Sequence, residues 1–373
     1  MRKGSIKKQV IKLLESANID PNGKNPWDIQ IHHPDFYSRV LEGGSLALGE
    51  SYMDGWWDCK SLDQFFARVI GAKLDEKVKS NFWLLSQLFF LKYANLQTKK
   101  RAFKIAEAHY NLGNGLFKTM LDSRMLYSCG YWKNAADLEE AQLNKLDLIC
   151  QKLSLAPGMD LLDIGCGFGA LAIHAAKNYG VKVVGITVSK EQYDIAIQQC
   201  AGLPIELYLQ DYRDIDGRFD RIVSIGMFEH VGPLNYRAYM QKVHDSLTQD
   251  GLFLLHTIGS NTSNVNTDPW IDKYIFPNSV LPSVTQIAEA FNRLFILEDW
   301  HNFGADYDKT LMAWEANFEQ GWDELRADYD ERFYRMWHYY LCSCAGLFRA
   351  RQAQLWQIVL SKKGVAGGYQ SLR

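Results

Sequence analysis

The chain contains no C-x-x-C pair. Its seven cysteines in 373 residues are odd in number and match neither a disulfide framework nor a common zinc spacing. A stapled secreted scaffold is therefore excluded, a reducing compartment is indicated, and no metal site is expected. An excess of one charge is missing as well: with 41 basic against 43 acidic residues and a net charge of −2, the protein does not hold nucleic acid through overall basicity. Long apolar runs are also absent. The most apolar window, "FWLLSQLFFL" at 82–91, is about half the length needed to cross a bilayer and is broken by Ser86 and Gln87, so no membrane span is expected. The basic start, 1–19, spaces its apolar residues as a helix does and lacks the uninterrupted core of a signal peptide. No internal repeat or low-complexity segment is present.

At this length, one large domain plus a smaller one is the natural division. Up to about residue 95, short helical stretches alternate with turn-rich joins such as "DPNGKNP" and "LEGGSLALGESYMDGWW". This predicts a small, mainly helical accessory domain over 1–95 and a catalytic domain over 96–373. The boundary is basic: Lys73, Lys77, Lys79, Lys92, Lys99, Lys100, Arg101 and Lys104 stand against only Asp75 and Glu76. Two readings of it stay open, contact with an anionic lipid surface and a solvated helix face. After Leu155 apolar β-rich runs alternate with helical stretches near 170–179, 190–200 and 236–247. The strands read "DLLDIG", "VKVVGIT", "PIELYLQ", "FDRIVSIG" and "GLFLLHTIG", with "LWQIVLSK" closing the chain. That pattern predicts an α/β fold, a Rossmann-like parallel sheet with helices on both faces. A long insertion, "SNTSNVNTDPWIDKYIFPNSVLPS", follows the fifth strand, at the carboxyl end where substrates are usually met.

"DIGCGFGALA" sets Gly165, Gly167 and Gly169 at a strand-to-helix turn, where missing side chains let the backbone approach a ligand closely. Dinucleotide binders space the second and third glycines farther apart. Asp163 followed by this glycine trio instead resembles the S-adenosylmethionine loop of class I methyltransferases. The second strand ends in "GITVSKEQ", which offers Thr187, Ser189 and Gln192 where a ribose-binding acid is commonly expected. After the third strand, Asp211 can accept from the adenine amino group and Tyr212 can pack on the ring. The same resemblance implies that Tyr127 and Ser128, about thirty-five residues ahead of the loop, also reach the cofactor.

Over nearly its whole length the chain resembles the cyclopropane-fatty-acyl-phospholipid synthases. The resemblance rests on "GGSLALGESYMDGWW", "AHYNLGNGLF", "YSCGYW", "DIGCGFG", "DRIVSIGMFEHVG", "LLHTIGS", "DPWIDKYIFPN", "DWHNFGADYDKTLMAW" and "LCSCAGLFRARQAQLWQ", in that order. Phe168 departs from the tryptophan that many members carry, with an aromatic ring kept. The resemblance implies transfer of the S-adenosylmethionine methyl to a cis double bond of a membrane phospholipid acyl chain, then proton loss to close a three-membered ring. It further implies a bicarbonate ion held by the backbone at Cys129 and Ile258 and by the side chains of Glu229, His256 and Tyr307. A homodimer, cytoplasmic and peripheral at the inner face of the membrane, with no nucleic-acid partner, is implied too.

The chemistry asks for such residues. An alkene is a poor nucleophile and must be aligned with a sulfonium methyl in a dry pocket. The resulting carbocation can be stabilised by aromatic faces, at about 0.5 to 2 kcal/mol each; Tyr127, Tyr131, Trp132, Phe228, Tyr274, Tyr307 and Trp314 lie in suitable segments, though plain core packing explains most of them equally. Ring closure needs a base, and a replaceable anion avoids alkylating a side chain for good. Alternatives stay open: Glu229 with His230 as a helix cap, His256 as a core histidine, and Cys129 as a nucleophile. Cys342 and Cys344 sit at i and i+2, point to different faces of a helix, and are assigned to the core. Two other functions stay open as well: a methyltransferase acting on a sterol, quinone or amine, and a lipid-surface binding protein with a vestigial cofactor pocket.

Overall fold

The computed structural model of the chain describes residues 3–74 and 113–373. Lys73 is described and takes a left-handed backbone (φ 51°). The rest of the basic boundary, Lys77 to Lys104, and the apolar window at 82–91 lie outside the described residues. Among the described residues, no helix is long and apolar enough to cross a membrane.

The chain forms two compact units. The first comprises Met1–Ala94, Asn266–Pro277 and Tyr307–Ala353; the second comprises Asn95–Val265, Asn278–Asp306 and Gln354–Arg373. This differs from a single cut after residue 95, because the aromatic-rich helices of the later segments are gathered into the first unit. That unit is mainly helical, with a small antiparallel pair, β1 (Ile29–Ile31) and β2 (Trp57–Cys59). Helix Phe36–Met53 kinks at Gly44, whose φ of 58° lies in the left-handed region that glycine enters at no steric cost. Helix Glu331–Arg349 runs against Leu62–Gly71 at very short range, since a Cβ at Gly346 would sit 2.5 Å from the Phe66 Cβ. Trp57, Phe65, Trp270, Trp314 and Trp337 are fully buried there. Their burial supplies the apolar area that short helices need to stay folded.

The second unit is built on a seven-stranded sheet in the order β5-β4-β3-β6-β7-β9-β8. The strands are β3 (Asp160–Ile164), β4 (Lys182–Thr187), β5 (Ile205–Leu209), β6 (Phe219–Ile225), β7 (Leu247–Ser260), β8 (Ile296–Asn302) and β9 (Ala353–Ser361). Strands β3 to β7 pair in parallel and β8 runs antiparallel to β9. Alternate residues feed two cores. Leu162, Ile222, Phe253, Leu255 and Ile358 point to one, while Leu161, Val223, Leu252, Leu254 and Val359 point to the other. A sheet covered on both faces explains why its central strands read as continuous apolar runs rather than alternating ones. From β3 the chain winds outward through β4 to β5 and then returns to place β6 on the other flank of β3. This reversal opens a crevice at the carboxyl ends of β3 and β6, where open α/β sheets bind ligands.

Near the end of β7, Gly259 leaves room for the Trp356 ring of β9: an added Cβ would fall 1.9 Å from its Cζ3. Gly259→Ala is therefore expected to lose about 1 to 3 kcal/mol of stability from overpacking. Urea denaturation should show a lower midpoint; an unchanged midpoint would mean that the tryptophan moves freely aside.

Candidate active site

A pocket of about 220 Å³ opens at that crevice, lined by the glycine loop, by the exits of β4 and β6, and by the 125–128 segment. Gly165, Gly167 and Gly169 have φ values of 86°, 56° and 86°, a run of left-handed conformations that only glycine supports cheaply. Gly165 and Gly167 line the pocket, whereas Gly169 stands behind it as the N-cap of helix Ala170–Tyr179. A side chain at Gly165 would also press on Met227, because an added Cβ would fall 3.1 Å from the Met227 Cβ. Tyr127, Ser128, Asp163, Thr187, Gln192, Asp211 and Tyr212 all line the pocket, as does Phe168.

The polar groups there are organised before any ligand arrives. Thr187 Oγ1 donates to Gln192 Oε1 at 3.1 Å, and Ser189 caps the helix that carries Gln192. Asp211 accepts from the Arg213 guanidinium at 3.0 and 3.1 Å, and that guanidinium also lies over the Tyr212 ring, 4.6 Å from its centroid. Asp163 is buried at the end of β3 with Oδ1 unpartnered. Burial pushes its carboxyl up to about 7, against the pull of the nearby Lys145 ammonium.

Lys145 and Gln142 are not among the residues expected from sequence. Both project from helix Leu138–Lys152 onto the 127–129 segment: Lys145 Nζ donates to Ser128 Oγ at 2.8 Å, and Gln142 Nε2 donates to the Ser128 carbonyl at 2.8 Å. The sequence does carry a signal, because 142, 145, 146 and 149 share one helix face and the last two are Leu146 and Ile149, both core residues. A lysine on a core stripe rarely lacks a partner.

Beside the pocket, the ends of β6 and β7 bring together an acid and a histidine. Ile225 pairs with His256, and the Gly226 N–H donates to the His256 carbonyl at 2.9 Å. The short turn Phe228–His230 folds Glu229 back, and its Oε1 accepts from the Ile258 N–H at 2.7 Å. That amide therefore serves the acid in this state, and Glu229 does not cap a helix. Glu229 Oε2 is buried without a partner, and so is His256 Nε2. Burial raises the Glu229 carboxyl to about 7, with the Ile258 amide opposing. Burial likewise pushes His256 well below its ordinary value, helped by the Lys145 and Lys152 charges, so its ring is neutral. Gln357 Nε2 lies 3.3 Å from His256 Nδ1; an amide N–H donating there leaves the ring proton on Nε2.

Cys129 is fully buried. Its segment is tied to β7 through Phe303, whose ring meets Tyr131 at 5.3 Å and His256 at 5.9 Å. Tyr307 belongs to the first unit, where it packs on Phe348 at 4.6 Å and Trp314 at 6.1 Å. Tyr274 and Trp314 are in that unit as well, and Phe228 is a core residue stacked on Tyr236. Of the candidate cation-stabilising aromatics, Tyr127 is the one that lines the pocket.

A family model described as "Mycolic acid cyclopropane synthetase" matches residues 97–358. The chain belongs to this family. It is 55% identical over 362 residues to the cyclopropane-fatty-acyl-phospholipid synthase of Escherichia coli strain K12, covering 97% of this chain and 94% of the relative. It is also 32% identical to a tuberculostearic acid methyltransferase of Mycobacterium tuberculosis, with 90% and 83% covered. Among solved structures, the cyclopropane synthase MmaA2 from Mycobacterium tuberculosis superposes with a TM-score of 0.66 at 33% identity, covering 70% of this chain and 98% of that one. The mycolic acid cyclopropane synthase CmaA1 complexed with SAH and CTAB gives 0.66 at 34%, with the same coverage. Like other members of the cyclopropane synthetase family, the protein is an S-adenosylmethionine-dependent methyltransferase of the class I fold.

Two outcomes follow for this member of the family. Gly165→Val forces a β-branched residue into a left-handed backbone against Met227; titration calorimetry should show S-adenosylmethionine binding weakened at least tenfold, about 1.4 kcal/mol, and wild-type affinity would remove the loop from the cofactor site. The second concerns pH. Glu229 titrates near 7 when folded against 4.5 for the free group, so the folded state binds the proton more tightly. The pH-dependent part of its burial cost is absent when both states are protonated and grows as pH rises from about 4.5 to 7, reaching on the order of 3 kcal/mol. Glu229→Gln should remove that fall, so the stability difference between variant and wild type should widen in the variant's favour from pH 5 to pH 8. A constant difference would mean that the carboxyl titrates normally.

Proposed function

We propose that the protein transfers a methylene derived from the methyl of S-adenosylmethionine to a cis double bond in a membrane phospholipid acyl chain, and that bicarbonate serves as the base. The observation that carries the finer reading is the pair of buried, unpartnered atoms beside the cofactor pocket, Glu229 Oε2 and His256 Nε2. One is an acceptor and the other, by the Gln357 contact, a donor. Together they fit a small anion that bears both an O⁻ and an O–H, and bicarbonate has both groups. Bound there, bicarbonate would supply an exchangeable base for the proton lost on ring closure.

The chain's own residues do the rest. The glycine loop and Asp163 seat the co-substrate, with Thr187, Gln192, Asp211 and Tyr212 around it. Lys145 and Gln142 hold the 127–129 segment in place, which presents Tyr127 to the pocket. The lining is largely apolar, with Met125, Leu126, Phe168, Ile186, Ile225, Met227 and Val231 excluding water. This favours alignment of two weakly interacting reactants over hydrolysis of the sulfonium. When ionised, Glu229 accepts at Oε2 from the anion's hydroxyl, and that charge-assisted hydrogen bond offsets the repulsion between the two negative groups. The family resemblance further supports a homodimer working at the inner face of the membrane.

Incubation with vesicles of cis-unsaturated phospholipid should add one methylene per double bond, read by mass spectrometry of the lipids. Unchanged lipids with a methylated soluble amine recovered instead would overturn the proposal. In the same assay Glu229→Ala and His256→Ala should lose on the order of 2 to 4 kcal/mol of transition-state stabilisation, roughly 30- to 1000-fold in rate. Cys129→Ser should keep substantial activity, because its backbone N–H is unaltered. A folded, cofactor-binding serine variant with no turnover would return the sulfur to a chemical role.

A further inference from the structure

The helices Ala305–Leu325 and Glu331–Arg349 carry a polar cluster that the methyl-transfer site does not use. Glu315 and Glu319 stand one turn apart on the first, and His338 and Cys342 one turn apart on the second, so each pair shares a face. His338 Nδ1 lies 3.2 Å from Glu315 Oε1 and 3.4 Å from Glu319 Oε1, yet it is buried without a well-directed hydrogen bond to either. On its other side, Nε2 is 3.8 Å from the Cys342 sulfur. One donor atom each from Glu315, His338 and Cys342 all fall within 4.8 Å of one another. The Tyr334 hydroxyl donates to Glu319 Oε1, and the rings of Tyr52 and Tyr334 stack on the imidazole at 6.4 and 6.0 Å.

The ring turns Nδ1 to the carboxylates and Nε2 to the sulfur, but one donor atom each from Glu315, His338 and Cys342 is already close enough for a rotation of the imidazole to bring all three to one ion. With bonds of about 2.0 to 2.3 Å, a tetrahedral zinc ion spaces its ligand atoms roughly 3.3 to 3.8 Å apart, so atoms that lie within 4.8 Å of one another need close by no more than about 1 to 1.5 Å. We propose that Glu315, His338 and Cys342 form a three-residue binding site for one zinc ion that clamps the two helices, with water as the fourth ligand. Thiolate and imidazole with a carboxylate suit zinc or cobalt rather than magnesium or calcium. Binding releases the Cys342 thiol proton, and one from a protonated His338, to solvent. The i, i+2 spacing of Cys342 and Cys344 points to the core for both; the tertiary partners of Cys342 lie one turn back, at His338, and across at Glu315.

The test uses the full chain, stripped with a chelator and titrated first with Co²⁺ and then with Zn²⁺. One equivalent of cobalt should bind with a thiolate-to-metal charge-transfer band, zinc should displace it, and the melting temperature should rise with either metal. Cys342→Ser should abolish the band and His338→Ala should weaken binding at least tenfold, while Cys344→Ser keeps both. Glu315→Gln, nearly isosteric, should also weaken binding and carries the test if Cys342→Ser fails to fold. Absence of stoichiometric binding, or a band that survives Cys342→Ser, would overturn the site and leave an imidazolium held between two carboxylates.

Discussion

The hydrogen bond from the Ile258 amide to Glu229, 2.7 Å long, is the contact on which the carboxyl ends of β6 and β7 depend. A turn leaving β6 has no intrinsic reason to fold back over β7. Here a carboxylate oxygen takes a backbone donor at the end of β7, and the Val280 N–H donates to the Glu229 carbonyl at 2.9 Å. One residue thereby joins the β6 exit, the β7 end and the return of the long insertion. A hydrogen bond to a charged group contributes about 1.5 to 3 kcal/mol, enough to keep the acid inside but less than the cost of burying it fully ionised. The acid is left with its proton affinity raised and one oxygen unused.

The same arrangement recurs around the pocket. Asp163 Oδ1, the Tyr212 hydroxyl, Glu229 Oε2 and His256 Nε2 are all buried and unpartnered, each costing about 1 to 3 kcal/mol. The two-sided apolar core of the sheet offsets this, and ligands that supply the missing partners recover it. Active sites that hold such groups give up stability for function. Charges at the back of the site complete the pattern. Lys152 lies fully buried, 3.0 Å from His301 Nδ1 and 3.5 Å from Asp299, and Asp299 is held by Arg373 at 2.6 and 2.7 Å. Burial lowers both Lys145 and Lys152 to about 8; burial also keeps His256 neutral, with the two lysine charges adding to it, and in that form the ring offers a single directed donor.

Most of the sheet and the cofactor loop were legible along the chain. Apolar runs, their helical intervals and the glycines at 165, 167 and 169 are local signals, set by backbone sterics and period and readable within a few residues. Thr187, Asp211 and Tyr212 lie at strand ends and Gln192 opens the helix after β4, so the strand order brings all four to the pocket lining. The division into units was not legible in the same way, because the later aromatic helices at 307–353 contact the N-terminal ones through burial, and burial has no sequence address.

What the sequence determined by itself, then, was the fold class, the glycine loop and the residue types that gather at the carboxyl ends of β3, β6 and β7. The tertiary structure alone decided which atoms of those residues are free. Glu229 meets a backbone amide 29 residues away, His256 meets a side-chain amide 101 residues away, and Lys145 reaches Ser128 across 17. Hydrogen-bond partners, desolvation and neighbouring charge set protonation, and all three depend on distance in space, which a chain acquires only by folding.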